Sequence, residues 1–233
     1  YIEIDVRFSS DNVGYVYHDS FFTDGKEKFR FSEKTWAEVE EYRYLHKDIR
    51  ITKFEDLVVH FVTHKQPGQY LAIDLKDFGY EQYIFDLCAR HGILDSVLVF
   101  TWTPQVIFEF DRLFAEKGQS FPLYFSHVRV DSMFKYFLIP AFLNYRNFFV
   151  SFLDFVLIGN SNYKQPLGKY EKGYRHVPYF ARLPDDLVAV LKRYNGGVCV
   201  TKKSYRWGDS LLKKYKAEGL KIAIFGAFFG LVK

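Results

Sequence analysis

Along this chain, short apolar runs rich in Val, Ile, Leu and Phe alternate with longer stretches in which apolar residues recur at helical spacing. Runs of the first kind read as strands over residues 2–8, 70–75, 96–101, 121–125, 155–158, 198–200 and 220–225. A further extended piece covers 13–17, beyond the turn Ser10-Asp11-Asn12. Stretches of the second kind read as helices over 33–44, 54–63, 80–91, 105–117, 133–149, 185–194 and 209–218. Local signals support the boundaries. Thr52 and Glu55 form a T-x-x-E capping pattern ahead of 54–63. Pro104 precedes and Gly118 follows 105–117, and Gln66-Pro67-Gly68 breaks the chain before the second strand.

Strands alternating with helices demand parallel pairing, because a parallel neighbour is reached only by a long crossover. The architecture this implies is α/β, a TIM-type (β/α)8 barrel. Seven strand runs are one short of closure, and the chain opens at Tyr1 inside a strand, so the first barrel strand is expected upstream. An open doubly wound sheet is the alternative. With 233 residues and neither a linker nor an internal repeat beyond the βα period, residues 1–233 are expected to form a single barrel domain.

Composition excludes several classes. Hydrophobic residues make up 48% and charged residues 26%, the balance of a globular chain. The net charge is +4, with Lys and Arg interspersed among Asp and Glu, so the basic stripe of a nucleic-acid binder is missing. No transmembrane segment is expected: Lys135, Pro140, Arg146 and Asp154 interrupt the most apolar stretch, 134–158. Cys88 and Cys199 are the two cysteines, far apart and in apolar contexts, which favours buried thiols, a reducing compartment and the cytoplasm. The 26 Phe and 18 Tyr read first as packing residues.

Chemistry concentrates near the N-terminus. In Ile2-Glu3-Ile4-Asp5-Val6, the two-residue period of a strand puts Glu3 and Asp5 on one face and the aliphatic residues on the other. Carboxylates sharing an inward face repel each other unless protons or a cation compensate, and a hard cation such as Mg²⁺ or Ca²⁺ takes such oxygen ligands. In the next strand, Leu71, Ile73 and Leu75 share one face. Asp74 and Lys76 share the other, at the C-terminal end where barrel enzymes place their catalytic groups. Asp74 adds a third carboxylate and Lys76 a cation suited to a phosphate oxygen. His18 follows the extended piece, with Asp19 beside it, and can exchange a proton with a leaving alkoxide. Trp102 and His127 follow their strands closely and are candidate pocket residues on the same barrel face. His60 and His64 stand four apart on a helix without the Glu of an H-E-x-x-H pattern and read as a solvated face. There is no P-loop, G-x-G-x-x-G or Ser/His/Asp arrangement.

The stretch Y-I-E-I-D-V-R-F-S-S-D-N-V-G-Y-V-Y-H-D resembles the segment of glycerophosphodiester phosphodiesterases in which an E-x-D strand, a turn with Asp and a V-x-x-H-D close follow one another. The D-L-K of the next strand resembles that family's E-x-K strand, and the detailed likeness covers about the first third of the chain. The resemblance implies a divalent metal, Mg²⁺ or Ca²⁺, on Glu3, Asp5 and Asp74, phosphate contact by Lys76, and a catalytic role for His18. The implied reaction is metal-dependent hydrolysis of a small glycerophosphodiester to glycerol 3-phosphate and an alcohol, with neither nucleic acid nor membrane span involved and the oligomeric state open.

The chain also departs from that pattern. Asp74 stands where the family usually has Glu, one methylene longer. The family's H-R-G motif is absent, its W-T-x-N has no counterpart at 198–203, and its T-D-x-P is replaced by Gly226-Ala227-Phe228-Phe229. A chain without the H-R-G strand is expected to be inactive by itself. Two alternatives follow: a lipid phosphodiesterase of the sphingomyelinase D or phospholipase C-like type, and a degenerate barrel that binds a phosphoester or a partner without turnover. The segment running into H-D rather than H-G, and the absence of the cysteines that follow it in the sphingomyelinase D group, favour the glycerophosphodiester group.

Overall fold

A computed structural model describes residues 1–18, 22–23, 28–42, 50–127, 183–202, 205, 210–225 and 230–232. The chain divides into two compact units, Tyr1–Thr101 with Leu113–Phe121, and Trp102–Arg112 with Pro122–Lys233.

In chain order the elements are β1 (Ile2–Phe8), β2 (Gly14–Val16), β3 (Phe22–Thr23), β4 (Lys28–Phe29), α1 (Trp36–Val39), β5 (Thr52–Lys53), α2 (Phe54–His64), β6 (Leu71–Leu75), α3 (Glu81–Arg90), β7 (Val97–Thr101), α4 (Pro104–Lys117), β8 (Leu123–Ser126), α5 (Asp185–Arg193), β9 (Gly197–Thr201), α6 (Ser210–Ala217), β10 (Lys221–Phe225) and β11 (Gly230–Val232).

In the first unit, β1 pairs parallel with β6, and β6 parallel with β7. β2 folds back antiparallel on β1, and β5 pairs antiparallel with β2. β1 alternates as its sequence requires: Ile4, Val6 and Phe8 are buried, while Glu3, Asp5 and Arg7 between them are not. β6 is buried at every residue except Asp74, and β7 throughout, the signature of parallel strands covered on both faces. α2 buries Phe54, Val58 and Phe61, which recur at helical spacing. A satellite core of Tyr15, Phe22, Phe31, Trp36, Val39 and Ile51 lies under the excursion between β1 and α2. There the rings of Phe22, Phe29, Phe31 and Tyr42 pack with centroids 4.7–5.8 Å apart, so this part of the aromatic excess serves packing.

In the second unit, β8, β9 and β10 pair parallel in that order, and β11 closes antiparallel on β10. α5 buries Leu187, Val188, Val190 and Leu191. Its acidic first turn (Asp185, Asp186) and basic last turn (Lys192, Arg193) both complement the helix dipole. Two glycines set the entry to β9. A Cβ on Gly196 would collide with the Leu123 backbone, and one on Gly197 with the Lys221 backbone. The paired glycines are what allow β9 to approach its neighbours.

Most expected boundaries lie within a few residues of the observed ones, with two corrections. The helix expected over 33–44 is a 3-10 turn at Phe31–Glu33 followed by the four-residue α1. Lys34 and Thr35 are extended there, and Glu38 reaches back to accept from the Thr35 amide at 2.8 Å, which starts the helix at Trp36. The Thr52 capping pattern is not used. Thr52 pairs with Val16 as a strand, and α2 begins after Lys53 with no side-chain cap. The hairpin of β3 and β4 and the closing strand β11 carried no sequence expectation, because each is only two or three residues long. The expected helix over 133–149, the strand over 155–158 and the Gly226–Phe229 replacement lie outside the described residues.

Candidate metal and phosphate site

The parallel register of β1 on β6 sets Asp5 directly beside Asp74, so their side chains leave the sheet on one face at one height. Glu3 is two residues back on the same face of β1. Oxygens of Glu3, Asp5 and Asp74 all come within 4.8 Å of one another. Lys76 follows Asp74 by two. Its ammonium donates to Asp5 Oδ1 at 2.9 Å and to Asp74 Oδ2 at 2.5 Å, with its side chain only 9% exposed. The backbone continues the ladder, Lys76 N donating to Val6 O at 3.1 Å.

Three carboxylates crowd one ammonium, and the electrostatics record it. Partial burial pushes the Glu3 carboxyl up to about 7; the Asp5 and Asp74 charges add to the shift, and Lys76 and His18 partly oppose it. Burial works against the Lys76 charge, but Asp74 and Asp5 outweigh it and hold its proton more tightly than an ordinary lysine's.

The donor set fits a hard divalent cation. Mg²⁺ and Ca²⁺ bind oxygens at about 2.0–2.6 Å, so ligands on opposite sides of either ion lie roughly 4–5 Å apart. The 4.8 Å span of the three carboxylates matches that spacing, and their mutual repulsion is what such an ion relieves.

Beyond the residues singled out in the sequence, two more converge here. Arg7, next along the Glu3–Asp5 face, donates from Nη1 to Asp77 Oδ1 at 2.9 Å and from Nε to the His18 carbonyl at 3.0 Å. Asp77 Oδ2 accepts from the Phe8 amide at 3.0 Å. The two-residue period would have pointed to Arg7; nothing in the sequence marks Asp77.

Trp102 and His127 belong to the second unit. Trp102 directly follows β7 and is half-buried. His127 directly follows β8 and is 3% exposed, with its amide bonded to Cys199 O at 2.8 Å and its Nδ1 3.4 Å from the Tyr215 hydroxyl. On α2, His60 and His64 are exposed and stacked at 4.1 Å, and His64 Nδ1 lies 2.9 Å from the His60 carbonyl.

No protein-family model and no curated protein matches the sequence. Solved structures do. A glycerophosphodiester phosphodiesterase from Parabacteroides distasonis aligns over 97% of this chain and 70% of its own, with a TM-score of 0.57 and 14% identity. One from Agrobacterium tumefaciens aligns over 98% and 75%, at 0.54 and 15%. One from Thermotoga maritima aligns over 97% and 72%, at 0.51 and 12%. These neighbours are TIM barrels. Among the described residues no helix is long and apolar enough to cross a membrane. The chain therefore carries an α/β fold of the glycerophosphodiester phosphodiesterase type.

Proposed function

We propose that this protein hydrolyses glycerophosphodiesters to glycerol 3-phosphate and an alcohol, with a divalent cation as cofactor. The observation that carries the reading is the Glu3, Asp5 and Asp74 cluster with Lys76 at its centre, on adjacent parallel strands of a phosphodiesterase-type fold. The reading takes residues 1–233 as one barrel domain.

Glu3, Asp5 and Asp74 are the ligands, supplying hard oxygens on one face. Mg²⁺ or Ca²⁺ held by them would supply the positive charge that polarises a phosphoryl oxygen for attack at phosphorus. The Lys76 ammonium, set among the carboxylates, neutralises a phosphate oxygen as negative charge develops there. His18, its backbone tied to Arg7 on the Glu3–Asp5 face of β1, delivers a proton to the oxygen of the departing alcohol. Overall, water supplies a hydroxyl to phosphorus and a proton to the alcohol, and one P–O bond breaks as another forms.

The test is release of glycerol 3-phosphate from glycerophosphocholine by the full-length protein in Mg²⁺, in Ca²⁺ and in EDTA, beside His18→Ala. Metal-dependent release that falls at least about 100-fold in His18→Ala supports the reading. Cleavage of a lysolipid instead would assign the site to the lipid phosphodiesterases. Binding of glycerophosphocholine with no turnover would make the chain a non-catalytic module, a reading that the shorter Asp74 carboxylate favours.

A further inference from the structure

His18 is an exposed residue at the end of a short antiparallel excursion, and an imidazole there is useful only if its backbone is held. Two bonds hold it. The amide of Tyr17 donates to Asp5 O at 3.0 Å, and the carbonyl of His18 accepts from Arg7 Nε at 3.0 Å. The second bond comes from a side chain that is itself fixed. Arg7 is 12% exposed and spends Nη1 on Asp77 Oδ1 at 2.9 Å. Asp77 is in turn anchored through Oδ2 to the Phe8 amide at 3.0 Å. The chain of bonds therefore runs from the end of β6 through Asp77 and Arg7 to the backbone of His18, beside the strand that carries Glu3 and Asp5.

We propose that Arg7 is a positioning residue, which fixes the His18 backbone beside the strand that carries Glu3 and Asp5 and is braced for that task by Asp77. The inference rests on the proposed phosphodiesterase reading, in which His18 handles a proton. The guanidinium suits the role because its planar fork aims separate donors at two fixed acceptors, one a carboxylate and one a carbonyl. A lysine ammonium can keep the charge pair with Asp77 but lacks the fork that also meets the His18 carbonyl. Displacement of a proton-transfer group by about 1 Å costs on the order of 100-fold in rate.

The experiment compares the full-length wild type, Arg7→Lys and the control Arg90→Lys, whose native pair with Glu55 is on the surface. Three readouts are taken: thermal melting, kcat and KM for glycerophosphocholine with Mg²⁺, and the backbone ¹⁵N heteronuclear NOE of His18. Arg7→Lys is expected to melt within a few degrees of wild type, to lose about 10- to 100-fold in kcat with KM within about twofold, and to lower the His18 NOE. Arg90→Lys should match wild type in all three. Either a wild-type kcat or an unchanged His18 NOE in folded Arg7→Lys overturns the proposal. If Arg7→Lys does not fold, Asp77→Asn, which keeps the side-chain shape but weakens the brace, is read by the same criteria. If the wild type releases no glycerol 3-phosphate, the enzymatic reading fails by itself. The NOE then decides the positioning role: a lowered value upholds it and an unchanged value overturns it.

Discussion

Glu3 is where this site stores an unfavourable charge. Its carboxyl is pushed up to about 7 by burial and by Asp5 and Asp74, against 4.5 ordinarily. The folded state therefore holds this proton more tightly than the unfolded chain does. The associated stability is fully present below about pH 4.5 and is lost as pH rises toward 7. Glu3→Gln keeps the size of the side chain and removes the charge. In EDTA, its melting temperature relative to wild type should climb between about pH 4.5 and 7 and level off above that. A constant difference across that range, by calorimetry, would show that Glu3 does not carry the repulsion. The Lys76 ammonium donates to Asp5 and Asp74 at 2.9 and 2.5 Å.

At the scale of elements, register does most of the work. Parallel pairing of β1 with β6 aligns Asp5 with Asp74, and a one-residue slip would turn one strand's carboxylates to the opposite face. The second unit depends on an equally exact approach at Gly196-Gly197, where backbone occupies the space a Cβ would need. Gly196→Ala must push β9 away from the Leu123 backbone or distort the turn after α5. The expected loss is about 2 kcal/mol or more in a urea titration, with the melting temperature falling accordingly. An alanine variant within about 0.5 kcal/mol of wild type would mean that the turn yields at little cost.

For the whole molecule, a cluster that binds a cation only when folded must be stabilised by that cation through mass action. At 100 times the dissociation constant the gain is about 2.7 kcal/mol. For a chain of this size that raises the melting temperature by roughly 5–10 °C. Mg²⁺ or Ca²⁺ should produce the shift in wild type, EDTA should reverse it, and Glu3→Gln should remove most of it. A melting temperature indifferent to both ions in wild type would disconnect the carboxylate cluster from metal. This readout does not depend on turnover, so it separates the cofactor from the reaction.

The α/β character and the strand faces were legible in the sequence because they follow from local periodicity. A two-residue period puts Glu3, Asp5 and Arg7 on one side of β1 wherever that strand lies. Near Thr35 and Thr52 the local reading failed: Glu38 caps back onto Thr35 and starts a short helix at Trp36, while Thr52, read as a cap, is taken up by pairing with Val16. What the sequence could not contain is distance between segments remote along the chain. That Lys76 lies between Asp5 and Asp74, and that Asp77 reaches Arg7 across 70 residues to hold His18, depends on β6 docking beside β1 in one register. That register is selected by burial of Ile4, Val6, Leu71, Ile73 and Leu75 together, which no single segment specifies by itself.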